Sequence, residues 1–252
     1  MTARGWLAAG AVVLLAWSAS LAETDAAPKK KKKATPAAAK PTPEPEILPP
    51  AKTERAPAAT IEPEELAEFS AQPPRVQQLF TAALALTKLN LAYAFGSDDP
   101  AKGGMDCSGT IFRVLTDQGF ADVPRASSGQ YEWVRKNGRF FSVVSKTADG
   151  FEFSDLQPGD LLFWTGTYET GRDVPISHVM LYLGREKKSG KRVMFGASDG
   201  RSYAGVQRWG VSVFDFKMPK ADPARPGKRV DFVGYGRIPG LRAADEPPKK
   251  AR

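Results

Sequence analysis

The sequence predicts an α+β fold, with N-terminal helices packed against an antiparallel β-sheet. Two observations support this prediction. Apolar residues first recur at helical spacing, over residues 76–91 and again over residues 107–118. From residue 160 onwards, short β-rich runs instead follow one another between glycines and prolines. Helices that precede a set of strands, without alternating with them, are typical of α+β domains.

Each predicted helix has one apolar face. In the first helix that face is formed by Val76, Leu79, Phe80, Ala83, Leu84 and Leu91. In the second, Ile111, Phe112 and Leu115 share a face, and Gly119 is the predicted stop signal. Strands are predicted at five runs: 160–165, 176–183, 192–198, 211–216 and 230–237.

The first 22 residues have the features of a signal peptide. Arg4 supplies a positive charge, and an apolar run covers residues 6–17. Ser20 and Ala22 are small residues at the positions that a signal peptidase recognises before its cleavage site. We expect cleavage after Ala22 and export to a periplasmic, extracellular or cell-wall location. The alternative is an uncleaved membrane anchor, for which the run is short, because a spanning helix needs about 20 apolar residues. No later stretch is long and apolar enough for stable membrane insertion.

Residues 23–75 are predicted to be a disordered linker, because Lys, Pro and Ala dominate a segment with little apolar surface to bury. The tail over residues 241–252 is predicted to be disordered and basic. These boundaries leave a domain over residues 76–240, which we expect to fold and act as a monomer without residues 23–75. The linker carries a run of lysines that can contact anionic envelope polymers, or simply form part of a solvated tether: Lys29, Lys30, Lys31, Lys32 and Lys33.

Composition excludes several classes of site. The 252-residue chain has one Cys and one His, so it cannot form an intramolecular disulfide or a zinc site of Cys and His ligands, which needs three or four of them. Its net charge of +8 is spread along the chain, without a stripe of basic residues interleaved with aromatics, so we expect no nucleic-acid partner. No cofactor or metal is predicted. Thiol or imidazole chemistry must use Cys107 and His178.

Cys107 lies in the segment 104–109, at the predicted start of the second helix. A helix N-terminus stabilises a thiolate through its unpaired N–H groups and its dipole, so we expect a thiol pKa below the free value of about 8.5. The same N–H groups can stabilise an oxyanion when an acyl group is attacked. The alternative is a small buried hydrophobic residue, the role of most free cysteines.

His178 lies at the beginning of the strand predicted over residues 176–183. A lone histidine is more often structural than catalytic. Here it is the one imidazole available to deprotonate Cys107, and a Cys–His pair is the minimal apparatus for covalent acyl transfer.

Four segments, in this order, resemble the NlpC-type cysteine peptidases of the bacterial cell wall, a compact papain-like group. The first, over residues 92–109, contains Ala-Tyr-Ala-Phe-Gly and then Gly-Met-Asp-Cys-Ser-Gly. The others are Pro-Arg-x-Ser-x-x-Gln at 124–130, Leu-x-Pro-Gly-Asp-Leu-x-Phe at 156–163, and Ser-His-Val-x-x-Tyr-Leu-Gly at 177–184. The resemblance covers about residues 92–200, more weakly to 237.

The resemblance implies a papain-like α+β fold, with Cys107 as nucleophile, His178 as base and Tyr93 near the nucleophile. The implied substrate is peptide-crosslinked peptidoglycan, typically cut between D-glutamate and a diamino acid. The sequence therefore predicts a secreted cysteine endopeptidase of peptidoglycan stem peptides. Two alternatives stay open: an acyl transferase or amidase on the same scaffold, and a degenerate, non-catalytic wall-binding domain.

The sequence departs from this family at the third catalytic group, a polar residue one strand after the histidine. The matching position is Gly196, which has no side chain. Ser198 shares a strand face with that position and Asp199 lies at the strand end, so either can orient the imidazole. A backbone carbonyl or a water molecule is equally possible.

Other polar and aromatic residues have structural interpretations beside their functional ones. Asp106 is interpreted as the N-cap of the second helix, with binding of a substrate amine as the alternative. Arg125 is expected to anchor the loop after that helix, and Asp160 to set the entry to a strand. Three tryptophans either belong to the core or line a glycan cleft: Trp133, Trp164 and Trp209.

Overall fold

A computed structural model describes residues 56–220, 227 and 229–243 of the chain. The predicted signal peptide, the lysine run and the linker up to residue 55 lie outside the described residues. Within them, the predicted α+β fold is confirmed: helices cover one face of an antiparallel sheet.

The described residues form α-helices α1 (Pro74–Thr87), α2 (Cys107–Asp117) and α3 (Ser127–Lys136). Short 3-10 helices lie at Pro63–Glu65, Phe69–Ala71, Pro100–Lys102 and Phe151–Phe153. The strands are β1 (Ala92–Tyr93), β2 (Gly104–Met105), β3 (Phe140–Ser142), β4 (Leu161–Thr165), β5 (Ile176–Arg185), β6 (Arg192–Tyr203), β7 (Val206–Asp215) and β8 (Asp231–Gly236).

The main sheet has six strands in the order β3-β8-β4-β5-β6-β7, and all of its pairings are antiparallel. Alternate residues of β5 face the two sides of this sheet. Val179, Leu181 and Leu183 join the core beneath the helices, whereas Met180 and Tyr182 join an aromatic cluster on the other side. A separate parallel pair, β1 and β2, leads into α2.

Both predicted helices and all five predicted strands are present, with ends shifted by a few residues. Helix α3 is not predicted from the sequence, because only Ser127, Gln130 and Val134 of this helix are buried and its apolar periodicity is weak. Gly119 has the predicted stop role: it follows α2 with a positive φ of 73°, which favours glycine.

The predicted linker is wrong for residues 56–75, which pack against the domain. Ile61 and Leu66 are buried in the main core, at 4% and 1% exposure. Both backbone groups of Ala59 are hydrogen-bonded to strand β7. Its N–H donates to Ser212 Oγ at 2.8 Å, and its carbonyl accepts from the Val213 N–H at 2.9 Å. The segment is rich in Pro and Glu, so its overall composition predicts disorder even though a few apolar residues anchor it to the core.

The predicted disordered tail is wrong at its start. Leu241 is 2% exposed in the main core, and the Arg242 guanidinium donates to Gln72 Oε1 at 2.8 Å. Packed residues thus continue beyond residue 240, and residues 244–252 lie outside the described part of the chain.

Asp160 has the structural role that its turn predicts. Its carboxylate accepts a hydrogen bond from the Gln157 N–H at 2.8 Å and pairs with the Arg237 guanidinium, which also donates to the Asp155 carbonyl. Asp160 and Arg237 are 0% and 5% exposed, so each charge depends on its partner.

We expect Asp160→Asn to lower the free energy of unfolding by about 3–5 kcal/mol, because it leaves Arg237 buried without a counter-charge. Urea unfolding measures the effect. The matched control is Asp117→Asn, which breaks an exposed pair with Arg113 and is expected to cost about 0.5 kcal/mol or less. Equal effects of the two changes would contradict the structural role of Asp160.

Candidate active site

Cys107 is the first residue of α2, and Asp106 fixes this helix start. The Asp106 carboxylate accepts hydrogen bonds from the N–H groups of Gly109, at 2.6 Å, and Gly96, at 2.7 Å. The predicted N-cap role of Asp106 is therefore confirmed. Through the bond to Gly96, which lies just after β1, the same carboxylate also connects that loop to the helix.

Arg125 holds the capped helix in place, as predicted. Its guanidinium donates to both oxygens of Asp106, at 3.0 and 3.1 Å, and to Asp98 at 2.8 Å. Together with the Ser108 hydroxyl, which donates to the same carboxylate at 3.3 Å, this bidentate contact gives Asp106 four partners around the start of α2. Asp106 is thus committed to the protein rather than to a substrate amine.

The Cys107 thiol lies against the strand that carries His178. Helix α2 packs on β5, and the backbone of Val179, the next residue after His178, favours the ionised form of the thiol. Burial, and then the charge of Asp106, raise the pKa of the thiol to about 11, although backbone hydrogen bonds from Val179 and Ser108 oppose the shift. The expected pKa below about 8.5 is therefore wrong, because desolvation outweighs the helix terminus.

His178 is 6% exposed and lies opposite Trp164 of β4, with ring centroids 5.6 Å apart. Burial, and then the charge of Arg201, hold the pKa of the imidazole well below 6.5. The ring is therefore neutral at neutral pH. Its Nε2 atom is buried and has no hydrogen-bond partner among the described residues.

None of the side-chain candidates for a third group bonds this nitrogen. A Cβ atom at Gly196 would collide with the Met180 sulfur, so Met180 fills the space that a side chain at position 196 needs. Ser198 is buried and lines the same cavity as His178, while Asp199 is exposed beside it. Neither donates to or accepts from Nε2 in this structure.

Arg201 belongs to the site, although the sequence does not predict it there. The pairing of β6 with β7 shifts register between Asp199 and Ser202, and Arg201 lies within this irregularity. Its guanidinium lies over the Trp164 ring, 4.4 Å from the centroid. Its charge reaches both candidate catalytic residues, since it lowers the pKa of His178 and its own pKa responds to Cys107. No sequence signal marks it, because the bulge sets its direction.

Two adjoining cavities meet at this site. The larger, of about 880 Å³, is lined by His178, Ser198, Asp199 and Arg201, and the smaller, of about 250 Å³, by Cys107. Three aromatic side chains line both cavities: Tyr93, Phe95 and Tyr168. The two cavities therefore adjoin along these three side chains, and together they form the cleft of the site, with His178 on one side and Cys107 on the other.

Tyr93 lies near Cys107, as the family resemblance implies. Burial, followed by the charges of Cys107 and Asp106, raises the pKa of its phenol. The hydroxyl is therefore a neutral hydrogen-bond donor at neutral pH. Phe95 and Tyr168 form an edge-to-face pair, with centroids 5.7 Å apart, and Phe95 is 74% exposed at the rim.

The tryptophans take no part in this cleft. Trp164 is fully buried, and none of the three lines either cavity. Their interpretation as core residues therefore holds for Trp164, and the cleft instead presents Tyr93, Phe95 and Tyr168.

Together the raised thiol pKa and the lowered imidazole pKa favour a neutral Cys107–His178 pair at rest. We expect the rate at which iodoacetamide alkylates Cys107 to rise about tenfold per pH unit from pH 7 to 10, because only the thiolate reacts. Intact-protein mass spectrometry counts the adduct, since Cys107 is the one thiol of the chain. Glutathione, as the control thiol, levels off near its own lower pKa. A rate that is flat over this range would instead indicate a preformed thiolate–imidazolium pair.

Among the described residues, no group of three or more His, Cys, Asp or Glu side chains could hold a metal ion. Nor does that part of the chain contain a helix long and apolar enough to cross a bilayer.

The fold and this cleft agree with the comparison with known families. Residues 90–208 match the model of the NlpC/P60 family. No curated protein matches the chain. One solved structure that it resembles is a lipoprotein-like protein of the NLP/P60 family from Staphylococcus aureus subsp. aureus Mu50, at 21% identity and a TM-score of 0.40. That match covers 72% of this chain, which spans 43% of the staphylococcal chain.

Proposed function

We propose that this chain is a secreted cysteine endopeptidase that hydrolyses amide bonds in peptidoglycan stem peptides, with the D-glutamyl–diamino acid bond as its target. One observation carries the proposal. The single thiol of the chain lies at the capped start of a helix that packs on the strand presenting the single imidazole, and the two residues line cavities that share Tyr93, Phe95 and Tyr168. The NlpC/P60 match over residues 90–208 supports a cell-wall peptidase or amidase of this kind.

In the proposed mechanism, the cycle begins with two neutral groups. His178 takes the thiol proton as the Cys107 sulfur attacks the amide carbonyl carbon, and the carbonyl oxygen becomes an oxyanion. N–H groups in the first turn of α2, with the Tyr93 hydroxyl, are suited to stabilise that charge. His178 then gives its proton to the amide nitrogen, the C–N bond breaks, and the amine leaves. Water, deprotonated by His178, finally attacks the acyl carbon, the C–S bond breaks, and His178 returns the proton to the Cys107 sulfur.

The two cavities divide the substrate in this mechanism. The acyl half bonds to the Cys107 sulfur, so it occupies the cavity lined by Cys107, Ser108 and Ser127. The leaving amine receives its proton from His178, so the leaving half occupies the larger cavity. Phe95 and Tyr168 at the shared rim contact both halves.

The N-terminal segment fits export to the compartment that holds this polymer. A signal peptide over residues 1–22 and contacts of the lysine run with envelope polymers belong to the proposal, and both lie outside the described residues.

Mass spectrometry of purified muropeptides tests the proposed function. Incubation with the mature chain is expected to give two fragments whose summed mass exceeds that of the substrate by one water. Cys107→Ala is the matched control and should leave the muropeptides intact. Transfer of the acyl group to an added amine would favour a transferase, and unchanged muropeptides with tight binding would favour a wall-binding domain.

A further inference from the structure

The larger cavity contains a cation that the proposed mechanism does not use. Arg201 is partly buried and lies over the Trp164 ring, yet its guanidinium has no hydrogen bond or ion pair with any described residue. Guanidinium groups removed from water are ordinarily paired, because an unpaired charge is costly to desolvate. Burial accordingly lowers the pKa of Arg201 to about 10, which still leaves it charged at neutral pH.

Contact with Trp164 restricts how Arg201 can move, since its guanidinium carbon lies 4.4 Å from the centroid of that fully buried ring. None of its nitrogen atoms is among the buried polar atoms that lack a partner, so they are open to the cavity. The planar guanidinium therefore offers the cavity a set of donors that matches the two oxygens of a carboxylate.

The charges around this cavity favour an anion. Arg201 and Lys220 line it as cations, and Asp199 is the acidic residue of the same lining. Asp199 is exposed at the strand end and is not bonded to Arg201. A net positive lining therefore remains for a ligand that carries a negative group.

We infer that Arg201 binds a free carboxylate on the leaving half of the substrate, and so selects peptides whose leaving amino acid is acidic over the same peptides with that group amidated. The inference rests on the proposed function, because His178 protonates the leaving amine in the cavity that Arg201 lines. It narrows the substrate class: the diamino acid released from the stem peptide carries a carboxylate within reach of Arg201. The bound carboxylate also neutralises the charge beside His178, which favours proton uptake by the imidazole.

The test uses two synthetic γ-D-glutamyl peptides that differ at one group of the leaving diamino acid, a carboxylate in one and a carboxamide in the other. For the wild-type chain we expect kcat/KM to be about 10- to 100-fold higher for the carboxylate, the range that a hydrogen-bonded charge contributes. Arg201→Gln should bring this ratio close to one, by slowing the acidic substrate. Arg201→Lys should restore part of the preference.

Lys220→Gln is the matched control, because Lys220 is an exposed cation of the same cavity, and it should leave most of the preference in place. A merely structural role of Arg201 would slow both peptides equally and keep their ratio. A ratio near one in the wild-type chain, or an unchanged ratio in Arg201→Gln, overturns the inference while the proposed function stands. Should Arg201→Gln fail to fold, the ratio of kcat/KM for the carboxylate peptide to that for the carboxamide peptide is measured for Arg201→Lys and compared with the wild-type ratio. An unchanged ratio in Arg201→Lys then overturns the inference. Cleavage of neither peptide would overturn the proposed function itself, and the inference with it.

Discussion

Cys107→Ala is expected to reduce muropeptide hydrolysis by at least about 10⁴-fold, because the acyl group then has no atom to which it can be transferred. His178→Ala is expected to lower kcat by about 10²- to 10⁴-fold, the contribution of one general base. The loss falls on kcat in both variants, since the cleft that binds substrate is retained. Rates are followed by chromatography of the released fragments.

Binding measurements separate this loss from a general disruption of the site. Calorimetric titration of Cys107→Ala with muropeptides should give an affinity near that of the wild-type chain before turnover, and its thermal unfolding should be little changed. Residual hydrolysis within tenfold of the wild-type rate would remove Cys107 from the mechanism.

Removal of residues 56–75 is expected to unfold the domain or leave it marginally stable. Ile61 and Leu66 are buried in the main core, and truncation of a single buried Leu or Ile to Ala costs about 2–5 kcal/mol. The free energy of unfolding of a small domain is about 5–15 kcal/mol in total, so loss of the whole segment is expected to remove much of it. Urea unfolding of the chains 56–252 and 76–252 measures the difference.

Single substitutions in the chain 56–252 show which contacts matter. Leu66→Ala should be destabilised by about 2–5 kcal/mol, whereas Glu64→Ala, at an exposed position of the 3-10 helix that ends just before Leu66, should be within about 0.5 kcal/mol of the parent. Full stability and activity of the chain 76–252 would show that residues 56–75 are dispensable, as their composition suggests.

The sequence predicted the elements with regular patterns. The helix at 74–87 and the strands from β4 to β8 bury whole apolar faces, so their periodicity is plain. Helix α3 and residues 56–75 are held by a few buried side chains within polar sequence, and periodicity does not detect such anchoring. Tertiary contacts order these segments.

The candidate site divides in the same way. Cys107, His178 and the cap at Asp106 were found from residue type and position on their elements. The raised pKa of Cys107 was not, because desolvation depends on how Val179 and the sheet cover the thiol. Arg201 and the filling of the Gly196 space by Met180 depend on a bulge and on packing across β5 and β6, which no single-sequence pattern records.

The central claim is that hydrolysis proceeds through the Cys107 sulfur. The most direct test is to alkylate this single thiol to increasing extents with iodoacetamide, at a pH high enough to form the thiolate, and then to measure muropeptide hydrolysis against the alkylated fraction found by intact-protein mass spectrometry. We predict that activity falls linearly with that fraction and reaches zero when every molecule carries the adduct. Fully alkylated protein that still hydrolyses muropeptides at the original rate would contradict the mechanism.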